Sequence, residues 1–229
     1  MFQIYYYKLS ENIQKEINSL DYILSDSEKN QASRYRQKKD RLLYCAGKIL
    51  TKKLISDTFQ TDLKKIILKK DKYNRPFLSY PKIKNFDFNI SHSQNLLVLA
   101  INSSRVGIDV EKIREIDLDI AYNYFHKEES DYLFKCCENK LDKFYQIWTL
   151  KESFIKATGE GLLRPLDSFY FKIKSDQIDF VDLREDCSVW NFKIYNTCKG
   201  YKMAVCSNDS DWPKPQKINN FKDFILKTP

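Results

Sequence analysis

Apolar residues along the chain fall into short alternating runs and longer helical stripes. Residues 2–7, FQIYYY, are β-prone and stand ahead of a polar stretch. From 28 to about 57 the positions Tyr35, Leu42, Leu43, Ala46, Ile49, Leu50, Leu54 and Ile55 recur at helical spacing, which predicts one or two amphipathic helices with Ser27 as N-cap. Short strands are predicted at 63–68 and 77–80 around the turn-like Tyr73-Asn74-Arg75-Pro76. Two more, at 86–90 and 96–101, enclose a hairpin connection running from Ser91 to Asn95. A further strand follows at 106–111. Helical patterns then occupy 120–125, 128–136 and, most strongly, 142–158, with Gly159 placed to stop the last. Strands return at 168–173, 192–195 and 201–206. The stretch from 208 is polar and proline-bearing apart from Phe221, Phe224, Ile225 and Leu226. Helix followed by strands in both halves predicts an α+β architecture, divided as 1–104 and 105–229 with a joint near 102–105.

Composition narrows the class. The 229 residues are 42% hydrophobic and 14% aromatic with only 5 Gly and 6 Pro, which opposes disordered and linker-rich readings. The longest apolar run, 96–101, is far short of the ~20 residues a membrane span needs. The N-terminus lacks the basic and apolar regions of a secretory signal, so a cytoplasmic location is expected. Six cysteines without a C-x-x-C pair and only two histidines oppose structural zinc and a histidine-rich metal centre. Any metal is then held mainly by carboxylates, which favours hard cations such as Mg²⁺. Lys+Arg 39 against Asp+Glu 31 leaves +8, a surplus that attracts nucleic acid, phosphorylated cofactors or acidic proteins, or marks only a solvated surface.

Three segments could carry chemistry. In 106–111, VGIDVE, alternation sends Gly107, Asp109 and Glu111 to one face, where paired carboxylates either bind a cation or form an ordinary solvent-facing strand side. In the helix at 144–156, Phe144, Ile147, Trp148, Leu150, Phe154 and Ile155 form an apolar stripe that contains Lys151, while Glu152 and Lys156 lie one turn apart at its edge. That edge is either a surface ion pair with a snorkelling Lys151, or a cleft border. At a cleft border Glu152 would be a third oxygen ligand or general base, and Lys151 and Lys156 would neutralise phosphate. Ser91 and His92, adjacent on extended chain, point oppositely and do not make a hydrolase dyad; His92 could instead donate to phosphate or accept a proton. His126 reads as structural. Arg34, Arg36, Lys38, Lys39 and Arg41 form a basic cluster and Arg75 sits in a turn. No phosphate-binding glycine loop is present, so side chains must hold any phosphate.

Taken in order, Phe88-Asn89-Ile90-Ser91-His92-Ser93, Gly107-Ile108-Asp109-Val110-Glu111 and the run from Trp148 to Lys156 with Gly159 and Gly161 strongly resemble the 4′-phosphopantetheinyl transferases, surfactin-synthetase-activating type. The resemblance extends over nearly the whole chain, to the entry Leu166-Asp167-Ser168-Phe169 and the late run from Gly200 to Cys206. It implies a monomer of two similar α/β halves in a pseudo-twofold arrangement, with coenzyme A in the cleft between them. Asp109, Glu111 and Glu152 would hold Mg²⁺, or Mn²⁺, against the pyrophosphate, with Glu152 or His92 taking the serine proton. Lys151 and Lys156 would face the pyrophosphate; Ser91, His92 and Arg75 would contact the 3′-phosphorylated ADP portion, and Arg34 and Arg36 would line the nucleotide. Leu43 stands where related enzymes often carry an arginine. The implied partner is an acidic apo acyl or peptidyl carrier protein, with no role for nucleic acid or membrane. Two other classes remain open on the residues: a coenzyme A pyrophosphate hydrolase in which water replaces the serine, and a non-enzymatic basic nucleic-acid-binding module, although its basic residues are interspersed with acidic ones.

Overall fold

The computed structural model describes residues 1–135, 138–174, 177–184 and 188–227. In the first half β1 (Phe2–Lys8) leads through α1 (Ile13–Ser19) and α2 (Asp26–Ser33) to the long α3 (Lys38–Phe59). The hairpins β2 (Ile67–Lys70)–β3 (Pro76–Tyr80) and β4 (Asp87–Ser93)–β5 (Leu96–Asn102) follow. The second half repeats this plan. Here β6 (Val106–Lys112) leads through α4 (Asp119–Tyr124) and α5 (Lys127–Lys135) to the long α6 (Lys140–Thr158). The hairpins β7 (Phe169–Lys174)–β8 (Gln177–Asp182) and β9 (Asn191–Tyr195)–β10 (Tyr201–Ser207) complete it. The antiparallel orders β1-β5-β4 and β6-β10-β9 are the same, so the chain is an α+β fold of two similar halves, a repeat hidden from the sequence.

Alternation along the strands sorts the layers. Odd positions of β5, Leu97, Leu99 and Ile101, join α3 in one core, while Leu96, Val98 and Ala100 share a second core with Val106, Ile108 and Val110 of β6 and with Met203 and Val205 of β10. The outer face of the second sheet is covered by α6 through Leu150, Phe154, Ala157, Ala204 and Cys206. The layers therefore run α3, first sheet, second sheet, α6, and the halves meet over a shared apolar core whose burial favours their union.

Several boundaries differ from expectation for identifiable reasons. Ser25, not Ser27, caps α2, because Ser25 and Glu28 complete a reciprocal capping box. Of the one or two helices expected over 28–57 the chain forms two, α2 and α3, while residues 63–65 form a 3-10 turn rather than strand. Ser91, His92 and Ser93 lie within β4, since Gln94, at φ 56°, and Asn95 suffice to close the hairpin. The end predicted for the 128–136 helix falls on Cys136, outside the described residues. Residues 216–226, grouped on sequence grounds with the second half, return to the first: β11 (Gln216–Ile218) pairs in parallel with β1, and α7 (Phe221–Leu226) buries Phe221 and Ile225 in the α3 core.

Two devices bring the halves together. The edge strands β4 and β6 run side by side, and side chains of β4 take the place of strand carbonyls. Asp87 accepts from Val106 N–H (3.0 Å), Asn89 from Ile108 N–H (3.0 Å) and Ser93 from Lys112 N–H (3.1 Å), all at a constant offset of 19 residues. On the other side of β6, α6 approaches so closely that a Cβ at Gly107 would stand 1.9 Å from Ser153 O and 2.5 Å from Ala157 N. Only glycine permits that contact.

Candidate active site

Alternation on β6 and the close approach of α6 place the chemistry. With Val106, Ile108 and Val110 in the inter-sheet core, Gly107, Asp109 and Glu111 turn toward α6, which presents Glu152 and Lys156 one turn apart. A cleft of about 470 Å³ opens there, walled on one side by Asp109, Glu111, Trp148, Glu152 and Lys156 and on the other by α3, β2 and β4. Asp109 is buried, so its face is no ordinary solvent-facing strand side.

Hydrogen bonds tie the walls together. Lys156 Nζ donates to Asp109 Oδ1 (2.6 Å) and to Ser91 Oγ (2.9 Å), and Ser91 Oγ donates to the same Oδ1 (2.8 Å). Lys156 thus reaches Asp109. Ser93 Oγ donates to Glu111 Oε2 (2.6 Å). Burial raises the pKa of Glu152, the charges of Asp109 and Glu111 raise it further, and Lys156 pulls it back. Glu111 is likewise raised by burial and by Asp109, against the lowering effect of the Ser93 hydroxyl and of Lys156 and Arg114. His92 is lowered by burial first and by Lys156 second, so its ring is neutral at neutral pH.

The fit of these donors to a cation can be tested on the geometry. Asp109 Oδ2 is buried without any hydrogen-bond partner, and the nearby Glu111 and Glu152 crowd it with like charge. Among the described residues no three His, Cys, Asp or Glu side chains converge into a ready metal cage. An all-oxygen set with one orphaned buried oxygen and no closed cage fits a hard divalent ion that draws its remaining ligands from water and phosphate.

Other expected residues stand elsewhere. Lys151 does not face the cleft: its ammonium is wholly buried, paired with Glu129 Oε2 at 2.7 Å, donating to Leu166 O (2.7 Å) and Phe169 O (2.8 Å), and lying 4.3 Å from the Phe169 ring centroid. All three of its donors are satisfied inside the protein. Arg75 borders an adjoining pocket, yet four of its five guanidinium N–H groups go to Asp87 (2.9 and 2.6 Å), Lys156 O (2.8 Å) and Val106 O (3.0 Å), so its main role is to bolt the halves together. Arg34 and Arg36 are exposed and outside the cleft lining. His126 stacks on Tyr170 and accepts from the Glu128 N–H, a structural role. Sequence reasoning passed over Tyr35, Tyr44, Lys48 and Lys70, which line the cleft; Gly47 and Thr51, one turn apart on α3, mark the face on which the helical ones sit.

Hard oxygen donors and a lysine on one wall, with further lysines on the other, make a cleft suited to a phosphorylated ligand and an associated cation. A family described as "4'-phosphopantetheinyl transferase superfamily" matches residues 105–206, and one described as "4'-phosphopantetheinyl transferase, N-terminal" matches 11–104. The chain is 34% identical to 4′-phosphopantetheinyl transferase Sfp of Bacillus subtilis over 93% of its own length and 94% of that protein's. It is 36% identical to the Bacillus subtilis transferase ffp over the same shares, and 28% identical to the human L-aminoadipate-semialdehyde dehydrogenase-phosphopantetheinyl transferase over 87% of this chain and 72% of that one. The protein belongs to the 4′-phosphopantetheinyl transferase superfamily, and within it to the Sfp type. No helix among the described residues is long and apolar enough to cross a membrane.

Proposed function

We propose that the protein converts apo acyl or peptidyl carrier proteins to their holo forms, acting as a holo-[acyl-carrier-protein] synthase type of 4′-phosphopantetheinyl transferase. The carrier serine oxygen forms a bond to the phosphorus that bears the pantetheine arm of coenzyme A. The anhydride bond breaks, 3′,5′-ADP leaves, and the serine proton passes to a base. The observation that carries this reading is the convergence of Asp109, Glu111, Glu152, Lys156, Ser91 and His92 on one cleft between the halves.

Asp109, Glu111 and Glu152 are the residues that would hold Mg²⁺, or Mn²⁺ in its place. When bound, the ion would supply charge neutralisation at the pyrophosphate and lower the cost of releasing 3′,5′-ADP. Lys156, fixed by Asp109 and Ser91, sets a cation against the developing negative charge without having to reorganise. Glu152, whose carboxyl is raised by burial and like charge, is a stronger base than an ordinary glutamate and is suited to receive the serine proton; neutral His92 can hold the same proton or orient phosphate. The +8 balance favours encounter with an acidic carrier at the surface. The working form is a cytoplasmic monomer.

Intact-mass analysis of an apo acyl carrier and an apo peptidyl carrier, each incubated with the protein, coenzyme A and Mg²⁺, tests this. A phosphopantetheine adduct that fails to form in EDTA and forms again once Mg²⁺ or Mn²⁺ is restored is expected. Cleavage of coenzyme A without an adduct would replace the reading with hydrolysis.

A further inference from the structure

Both strand carboxylates of the cleft are held from β4, by serines two residues apart. Ser91 Oγ donates to Asp109 Oδ1 at 2.8 Å and Ser93 Oγ donates to Glu111 Oε2 at 2.6 Å, each across an offset of 18 residues. The two serines are not equivalent. Ser91 lines the cleft, where a ligand can meet it directly, and Ser93 stands outside the lining. Whatever Ser93 contributes at the cleft therefore passes through Glu111. The direction of its hydroxyl is set by the backbone: Ser93 Oγ accepts from Lys112 N–H at 3.1 Å. A hydroxyl carries one hydrogen, and with a lone pair taken by that amide the hydrogen is given to Glu111 in a short, charge-assisted bond. Glu111 also has a competing neighbour. It borders a second pocket together with Arg114, Ile116, Ile120, Phe144 and Trp148, and the charge of Arg114 acts on it. Among the described residues Glu111 nevertheless forms no ion pair, with Arg114 or with Lys156. A carboxylate left free beside a guanidinium turns to it, and the Ser93 bond stands against that turn.

We infer that Ser93 is a positioning residue: its hydroxyl holds Glu111 away from Arg114 and in place to ligate the divalent cation, so that cation affinity depends on a side chain outside the cleft lining. The inference rests on the function proposed above and on its three-carboxylate assignment. Partners that orient a metal ligand from behind govern affinity because they remove the cost of bringing the ligand into place. Ser93 has the features of such a partner. It bonds a proposed ligand, and its own geometry is fixed by a strand amide.

The test titrates Mn²⁺ calorimetrically into the protein saturated with coenzyme A, with no carrier present and a protein-free blank. Ser93→Ala is expected to weaken Mn²⁺ binding about tenfold or more, as when an outer partner of a metal ligand is lost, and Ser93→Thr, which keeps the hydroxyl, to recover most of it. In transfer assays the half-saturating Mg²⁺ concentration of Ser93→Ala should rise by the same factor while kcat at saturating Mg²⁺ changes little. A role confined to the Lys112 amide would lower the thermal midpoint and leave cation affinity unmoved. A folded Ser93→Ala with wild-type Mn²⁺ affinity therefore overturns the inference. Ser93→Cys, a much weaker donor, decides in the same way if the alanine variant does not fold. Adding Arg114→Ala to Ser93→Ala should return part of the affinity; no return overturns the part assigned to Arg114. Wild type that binds Mn²⁺ in a Ser93-dependent way yet modifies no carrier sinks the proposed function and leaves the positioning role standing. Wild type that binds no Mn²⁺ removes the three-carboxylate assignment and this role with it.

Discussion

Asp109 concentrates the demands of the site in one side chain. Its Oδ1 accepts from both Ser91 and Lys156, and its Oδ2 is buried without a partner. Replacing it with alanine removes a cation ligand and releases Lys156. Metal-dependent transfer is expected to fall about a hundredfold or more, since a bound cation contributes several kcal/mol to such a step. Lys156 is partly exposed and can be solvated when freed, so the thermal midpoint should change little. Wild-type turnover by Asp109→Ala would remove the three-carboxylate assignment. His92 offers a second check at this scale. Burial, then Lys156, holds it under the ordinary histidine value of 6.5, against the opposing charges of Asp40 and Asp109. Folded protein then binds fewer protons at this ring than unfolded chain, so stability drops as pH falls through 6.5 and levels off below the folded-state value. An NMR titration of His92 with its midpoint under 6.5 is expected; a midpoint at or above 6.5 contradicts the lowering assigned to its place in the cleft beside Lys156.

At the scale of elements, α6 is fixed in place by Lys151. The Glu129–Lys151 pair joins α5 to α6, Lys151 reaches the backbone entering β7, and Glu129 also accepts from Phe171 N–H (3.0 Å). Burial pushes Glu129 up, to about 7, although Lys151 pulls it down. Lys151→Met leaves that carboxyl buried without its counter-ion, which typically costs about 3–5 kcal/mol. Because the folded-state pKa of Glu129 lies above its unfolded value of 4.5, the folded protein binds the extra proton, and the variant should lose stability as pH rises beyond 4.5. Denaturation curves at several pH values, with Lys151→Met/Glu129→Leu expected to recover part of the loss, check this. A single variant as stable as wild type at neutral pH would remove the role given to the pair. Here the sequence was legible only in part. A helical wheel puts Lys151 inside the apolar stripe, but it does not reveal that Glu129 and Phe169, from other elements, wait on the far side. The period-two pattern of 106–111 was fully readable because β6 has one apolar core and one cleft face. The capping box at Ser25 and Glu28 was also present to be read, since Ser25 and not Ser27 stands three residues ahead of a glutamate.

For the whole molecule, the return of the chain to its first half has consequences for stability. Ile218, Phe221 and Ile225 are almost wholly buried, and β11 covers the open edge of β1. Each such side chain is worth roughly 1.5–3 kcal/mol on burial, so together they approach the net stability of about 5–15 kcal/mol typical of a domain. A chain ending at residue 215 should melt at least about 10 °C lower or aggregate through β1, as read by calorimetry and light scattering. An unchanged midpoint would show the return to be dispensable. Three residues of parallel pairing carry no local signature, which is why this closure could not be seen in a proline-bearing polar tail. The seam between β4 and β6 has a different consequence. Asp87, Asn89 and Ser93 satisfy β6 amides from alternate positions of a row that also contains Ser91, which reaches Asp109. A slip of one residue along this seam would strand those amides and, in the same motion, carry Ser91 away from Asp109. The fastener and the reagent holder are one row of side chains, so assembly proofreads itself: halves that have seated correctly have already aligned the reacting groups, and no later adjustment is required.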